Sequence, residues 1–197
     1  MFTFAPPQDP NQNSGSLPSL SVPVSEVDHI KGNGESQIVL VEYGDFQCPA
    51  CGSYFPLIKQ LEQEFGDRIA FVWRHLPLRN IHKNAENAAR ATEAAALQGK
   101  FWEMHDMLFE KQAEWSSKGN AKEVLAEYAV SLGINKEQFL VDFDSGAVAD
   151  RVEKDLQSAL QDKINSTPSF FLAGARLSPV PQSYEEFRAA ILKSLGS

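Results

Sequence analysis

At 197 residues, with 43% hydrophobic side chains and 13 Phe, the chain can bury a full core without metal or disulfide staples, so one domain with room for an insertion is expected. Lys and Arg number 18 against 26 acidic residues, and the net charge of -8 is spread along the chain, which argues against a nucleic-acid-binding face. No run of about 18 apolar residues occurs, so the sequence holds neither a membrane span nor the apolar region of a signal peptide.

The first 25 residues, MFTFAPPQDPNQNSGSLPSLSVPVS, are crowded with Pro, Ser, Asn and Gln and lack helical or alternating patterning. A flexible linker over 1–26 is expected, followed by one folded domain over 27–197. Such a segment suits a domain held away from a membrane by an anchor or targeting segment upstream of Met1.

Past Val27, the β-branched run Ile38 to Val41 predicts a buried strand that Gly44 ends. From Ala50, the residues Tyr54, Ile58, Leu61 and Phe65 recur at helical spacing as far as Gly66, a C-cap. RIAFVWRHL returns as a second strand. The stretch NAENAARATEAAALQGKFWEMHDMLFEKQAEW is alanine-rich and then amphipathic, with Phe101, Met104, His105, Leu108 and Phe109 on one face. Leu125, Tyr128 and Leu132 extend a helical subdomain. Asn135 with Gln138 predicts a capping box before Phe139 and Phe143, and Val152, Leu156, Leu160 and Ile164 predict a stripe on a long helix. PSFFLAGARLS reads as a hairpin turning at Ala173-Gly174. Ser183 with Glu186 then caps a last helix carrying Tyr184, Phe187, Ile191 and Leu195.

The chain's two cysteines, Cys48 and Cys51, stand as C-x-x-C between the first strand and its helix. At that spacing both sulfurs lie on one face of the first helical turn, close enough to close a small ring that opens and forms readily. The unpaired N–H groups and dipole of the helix N-terminus stabilise an anion, so Cys48 should be the thiolate and Cys51 the deeper, resolving thiol. Pro49 fits the first turn, where no N–H is missed. Zinc needs about four ligands, and His29, His75, His82 and His105 form no H-x3-5-H pair, so no metal is expected. A purely structural disulfide would close too short a loop to constrain the unfolded chain much.

VEYGDFQCPAC, HKNAENAARATEAAALQGKFWEMHDMLF and STPSFFLAG together resemble the DsbA-like branch of the thioredoxin superfamily, near the BdbD or thioredoxin-4 type, over about Val27 to Leu195. The resemblance implies an α/β thioredoxin fold with a helical insertion subdomain at about 82–164, and a thiol-disulfide oxidoreductase without cofactors beyond the Cys48–Cys51 disulfide. By the same resemblance Cys48 is the attacking cysteine. Pro168 falls at the family's cis-proline, and the backbone of Thr167 is left to pair with an extended substrate peptide. Glu42, six residues before Cys48, resembles the acid that moves protons beneath the dithiol; the residue-level alternative is a surface carboxylate at a strand end.

His82 and Asp45 also fall at family-like positions, with structural roles expected. Asn165-Ser166-Thr167 is formally a glycosylation sequon, expected to stay unused beside an active-site loop. One departure stands out: DsbA carries histidine directly before its second cysteine, and this chain has Ala50, whose side chain neither donates nor carries charge.

The expected function is an extracytoplasmic dithiol oxidase that passes its disulfide to folding proteins and is recycled by a membrane redox partner. The alternatives are an isomerase or reductase kept reduced by such a partner, and a non-catalytic peptide-binding or chaperone module.

Overall fold

The computed structural model describes residues 19–196. Its sheet runs in the order β1-β3-β2-β4-β5, from β1 (His29–Gly32), β2 (Val39–Gly44), β3 (Ala70–His75), β4 (Ser169–Leu172) and β5 (Ala175–Arg176). The central β2 and β3 are parallel; β1, β4 and β5 pair antiparallel to their neighbours. Every residue of β3 is buried, as befits a strand covered on both faces.

Helix α1 (Pro49–Phe65) supplies the crossover from β2 to β3. It shares one apolar cluster with the last helix, α8 (Tyr184–Leu195), in which Leu61, Phe65, Phe187 and Ile191 close over Leu40, Phe71, Phe170 and Leu172. The opposite face, with Val41, Tyr43, Val72 and Phe171, is covered by Ala159 and Ile164. Ala159 belongs to α7 (Gly146–Gln161). The turn from β4 to β5 has Ala173 at φ 48° and Gly174 at φ 80°, the two positive values that a two-residue hairpin demands.

Between β3 and α7 lie α2 (Ala85–Ala96), α3 (Phe101–Glu110), α4 (Gln112–Trp115), α5 (Ala121–Ser131) and α6 (Lys136–Phe143). Small residues on α2, Ala88, Ala91, Ala94 and Ala95, let these helices approach closely around Met104, Leu108, Leu125 and Phe139. That core continues without a break into Phe46, Cys48, Cys51 and Trp73, so the insertion and the C-x-x-C segment share one apolar interior. A Cβ at Gly44 would fall 2.1 Å from Trp73 Cη2, and glycine there admits the indole.

Several expectations need correction. Residues 1–18 of the expected linker lie outside the described residues, but 19–26 are bound to the body. Ser19 bridges Ala175, Leu20 N donates to Gly174 O at 2.8 Å, and Ser21 N to Asp162 Oδ1 at 2.8 Å. Arg74, 2% exposed, donates to the carbonyls of Val22 and Pro23 and forks onto Asp28 at 2.7 and 3.1 Å. Proline and serine made this stretch read as free chain, yet its polar main chain is satisfied by groups distant in sequence.

The α7 stripe also fails at its end. Leu160 is 57% exposed, because residues four apart drift by about 40° per step around a 3.6-residue helix, and Ile164 lies beyond the helix end, buried against the sheet. The capping boxes are half-formed. Asn135 and Ser183 accept from the N–H groups of Gln138 and Glu186, but the side chains meant to reach back turn to Asp142 and to the N–H of Gln182.

Candidate active site

Cys48 is the N-cap of α1, its backbone extended at φ -68° and ψ 122°, with Pro49 opening the helix. The loop before it is organised by Asp45. One carboxylate oxygen accepts from Gln47 N at 2.7 Å, the other from Leu78 N at 3.0 Å and pairs with His82 Nδ1 at 2.7 Å. The Asp45 carbonyl accepts from Cys48 N at 3.0 Å. Asp45 and His82 thus act structurally, by holding the C-x-x-C loop to the segment after β3.

Both cysteines are free thiols, Cys48 7% exposed and Cys51 1%. Hydrogen bonding from the Cys51 thiol lowers the Cys48 pKa to about 5. Burial opposes the shift, while the Thr167 hydroxyl and the backbone N–H groups of Cys51 and Ala50 reinforce it. Ala50 contributes through its main chain where its side chain cannot. Burial pushes the Cys51 thiol well above its ordinary value, and the hydrogen bond to Cys48 and the negative charge of Glu42 push the same way. One thiol is set to be the anion and the other to keep its proton, the division that C-x-x-C at a helix start predicts.

Thr167 and Pro168 lead into β4, beside Cys48. The Cys48 thiol donates to Thr167 O at 3.6 Å, and the Thr167–Pro168 peptide bond is cis. The Thr167 hydroxyl is buried as well. Pro49 and Ala50 are exposed, so the rim beside Cys48 is open to a partner.

Glu42 lies inside β2, opposite Trp73 on β3 and Phe170 on β4, rather than at a surface strand end. Burial pushes its carboxyl up to about 8, with the Cys48 and Glu62 charges adding. Glu42, Cys51 and Glu62 line one cavity of about 20 Å3, walled by Phe55, Ile58, Trp102 and Phe109, which has room for a single water.

Three contributors to the site were not legible from the sequence. The Gln112 amide donates to the carbonyls of Phe46 and Cys48 at 2.7 and 2.9 Å. The Gln47 side chain donates to Ser116 O and accepts from Asn84 N, each at 2.7 Å. Glu62 accepts from Lys31 and Lys59 at 2.7 and 3.0 Å. Gly52 carried the available signal for Gln112, since a Cβ there would meet Gln112 Oε1 at 2.6 Å.

The thioredoxin family profile designated Thioredoxin_4 matches residues 24–193. Among solved structures, oxidised BdbD from Bacillus subtilis superposes with a TM-score of 0.77 at 24% identity, covering 92% of this chain and 97% of that one. A thioredoxin-like oxidoreductase from Silicibacter pomeroyi gives 0.73 at 24% identity, covering 88% and 95%. Wolbachia pipientis alpha-DsbA1 gives 0.72 at 19%, covering 88% and 93%.

Curated relatives include proteins named Na(+)/H(+) antiporter NhaA. That of Mycolicibacterium vanbaalenii is 44% identical over 153 residues, 76% of this chain, and that of Herminiimonas arsenicoxydans 43% over 159 residues, 80% of this chain. The chain spans about a quarter of the length of these relatives, 24% of each. No helix among the described residues is long and apolar enough to cross a membrane. With β2-α1-β3 and the β4-β5-α8 unit arranged around C-x-x-C and a proline beside it, and with the profile spanning nearly the whole described chain, the protein belongs to the thioredoxin family.

Proposed function

We propose that the protein works as a dithiol oxidase outside the cytoplasm, giving the Cys48–Cys51 disulfide to reduced protein substrates. The observation that carries this reading is the unequal pair: an anion-stabilised Cys48 at the helix start against a buried, protonated Cys51. An oxidant is oxidising because its reduced form is stabilised, and a stabilised thiolate does that.

In the oxidised state a substrate thiolate attacks Cys48 Sγ. The Cys48–Cys51 bond breaks, and Cys51 leaves with the electron pair and takes a proton from Glu42. A second substrate thiolate then attacks the substrate sulfur of the mixed disulfide, and Cys48 leaves as the stabilised thiolate. The substrate dithiol loses two electrons and the protein dithiol gains them; a membrane redox partner must remove them to restore the disulfide. The Thr167 main chain beside Cys48 supports binding of the substrate as an extended strand. The recurrence of this domain as a quarter of polypeptides named as antiporters supports a place beside a membrane.

The deciding measurement is the equilibrium with glutathione, together with thermal melts of both redox states. An oxidase gives a reduced protein that melts higher than the oxidised one. A potential near the roughly -270 mV of thioredoxin, with the oxidised form melting higher, assigns the protein to the isomerase or reductase alternative. Binding and refolding activity that survives loss of both cysteines assigns it to the chaperone alternative.

A further inference from the structure

Behind the dithiol, the side of the sheet facing α1 holds a group of charges that the exchange chemistry does not itself require. Glu62, on the sheet-facing side of α1, is 9% exposed at its side chain and is gripped by Lys31 from β1 and Lys59 from its own helix. Lys59 also binds Asp106 of α3 at 2.7 Å, and Asp106 bonds His105 Nδ1 at 3.0 Å. Two ammonium groups arriving from different elements prevent the Glu62 carboxylate from swinging out to solvent. It therefore stays on the wall of the cavity it shares with Glu42 and Cys51.

Resting on the oxidase reading, we propose that Glu62 is a positioning residue for the proton of Glu42: clamped by Lys31 and Lys59 across a cavity that admits one water, it keeps that proton on Glu42 until Cys51 needs it. The titratable or charged groups facing this pair are Cys48, Cys51, Tyr54 and Lys59 from α1, Lys31 from β1, and His105 and Asp106 from α3. A fixed negative charge close to a buried carboxyl opposes its ionisation, and the low dielectric around the cavity strengthens the effect. The two ammonium groups pull in the opposite direction. Removing Glu62 should therefore release Glu42's proton by both routes, because the repelling charge goes and the lysines are left without their partner.

The test titrates Glu42 in the reduced full chain through the infrared band of its protonated carboxyl, assigned by loss of that band in Glu42→Gln. With Glu62→Gln the midpoint should fall by half a pH unit or more, and Glu62→Asp should restore it at least in part. Lys59→Met should move it upward, and this variant keeps the proposal testable if Glu62→Gln does not fold. The pH profile of disulfide reduction, followed by tryptophan fluorescence, should shift with the band. A midpoint unmoved in a folded Glu62→Gln, or shifted the same way by Lys59→Met, overturns the proposal. These outcomes are independent of the oxidase reading, which fails on the potential alone while the Glu42 titration still reports on Glu62.

Discussion

The side-chain amide of Gln112 hydrogen-bonds the carbonyl of Cys48 at 2.9 Å, so the first residue of α4 grips the residue that opens α1. The same amide also takes the Phe46 carbonyl. The helical insertion thereby sets the backbone that aims the reactive sulfur. Gln112→Leu should cost about 1–2 kcal/mol for the two lost bonds and raise the Cys48 pKa by less than about one unit, since a full unit needs roughly 1.4 kcal/mol. Chemical denaturation and the pH dependence of alkylation measure the two effects separately.

The thiols should separate cleanly in reactivity. Cys51→Ser should accumulate mixed disulfides with glutathione, and Cys48→Ser should accumulate none, because the surviving Cys51 is 1% exposed and held protonated. Iodoacetamide should modify Cys48 with a midpoint near 5. Indistinguishable midpoints for the two thiols would refute the assignment of attacking and resolving roles.

Stability should respond to pH through two opposed groups. Cys48 is lowered from 9.0 to about 5, so the unfolded chain binds more protons between those values. Its contribution to the reduced protein is therefore full above pH 9 and lost as pH falls through 5. Glu42 is raised from 4.5 to about 8, so the folded chain binds more protons there and stability declines as pH rises through that window. Glu42→Gln should stabilise the reduced protein at pH 9, by up to a few kcal/mol at roughly 1.4 kcal/mol per unit, and make little difference at pH 4. Melts across pH 4 to 9 check the sign.

Ala50→His should restore a cation beside Cys48. Its expected signature is a lower Cys48 midpoint, a less negative reduction potential, and a wider melting gap between reduced and oxidised protein. A potential unchanged from wild type would mean that hydrogen bonding from Cys51, Thr167 and the main chain already saturates the thiolate.

Gly44→Ala tests the packing beneath the site. The new Cβ would meet the buried Trp73 ring, so a loss of about 3 kcal/mol is expected. Gly52→Ala meets only the end of Gln112. It should cost far less stability, because alanine favours the helix by about 1 kcal/mol, while still disturbing Cys48. Urea titration of the two variants gives the comparison.

The parts of the site legible in the sequence were those whose chemistry is local. Cys48 and Cys51 fall in one helical turn after a strand, and Ala173-Gly174 marks its own turn. Thr167 and Pro168 came through resemblance rather than through any rule of spacing. Gln112, Glu62 and the Asp45–His82 pair were not assigned their contacts, because a side-chain bond across tens of residues leaves no periodic trace. Arg74 was hidden for the opposite reason. It follows an apolar run in its strand, and the chain at Val22, Pro23 and Asp28, together with the Tyr43 hydroxyl, makes its burial tolerable.

The bridge between Ser19 and Ala175, with Leu20 donating to Gly174 O, concerns how molecules of this protein meet one another. β5 is the last strand of its sheet and only two residues long, and an outer strand offers unpaired main-chain groups to any neighbouring chain. The segment before β1 occupies part of that margin and is locked down by Arg74. A variant such as Arg74→Met, which frees the segment, should therefore self-associate through the sheet margin as well as lose stability.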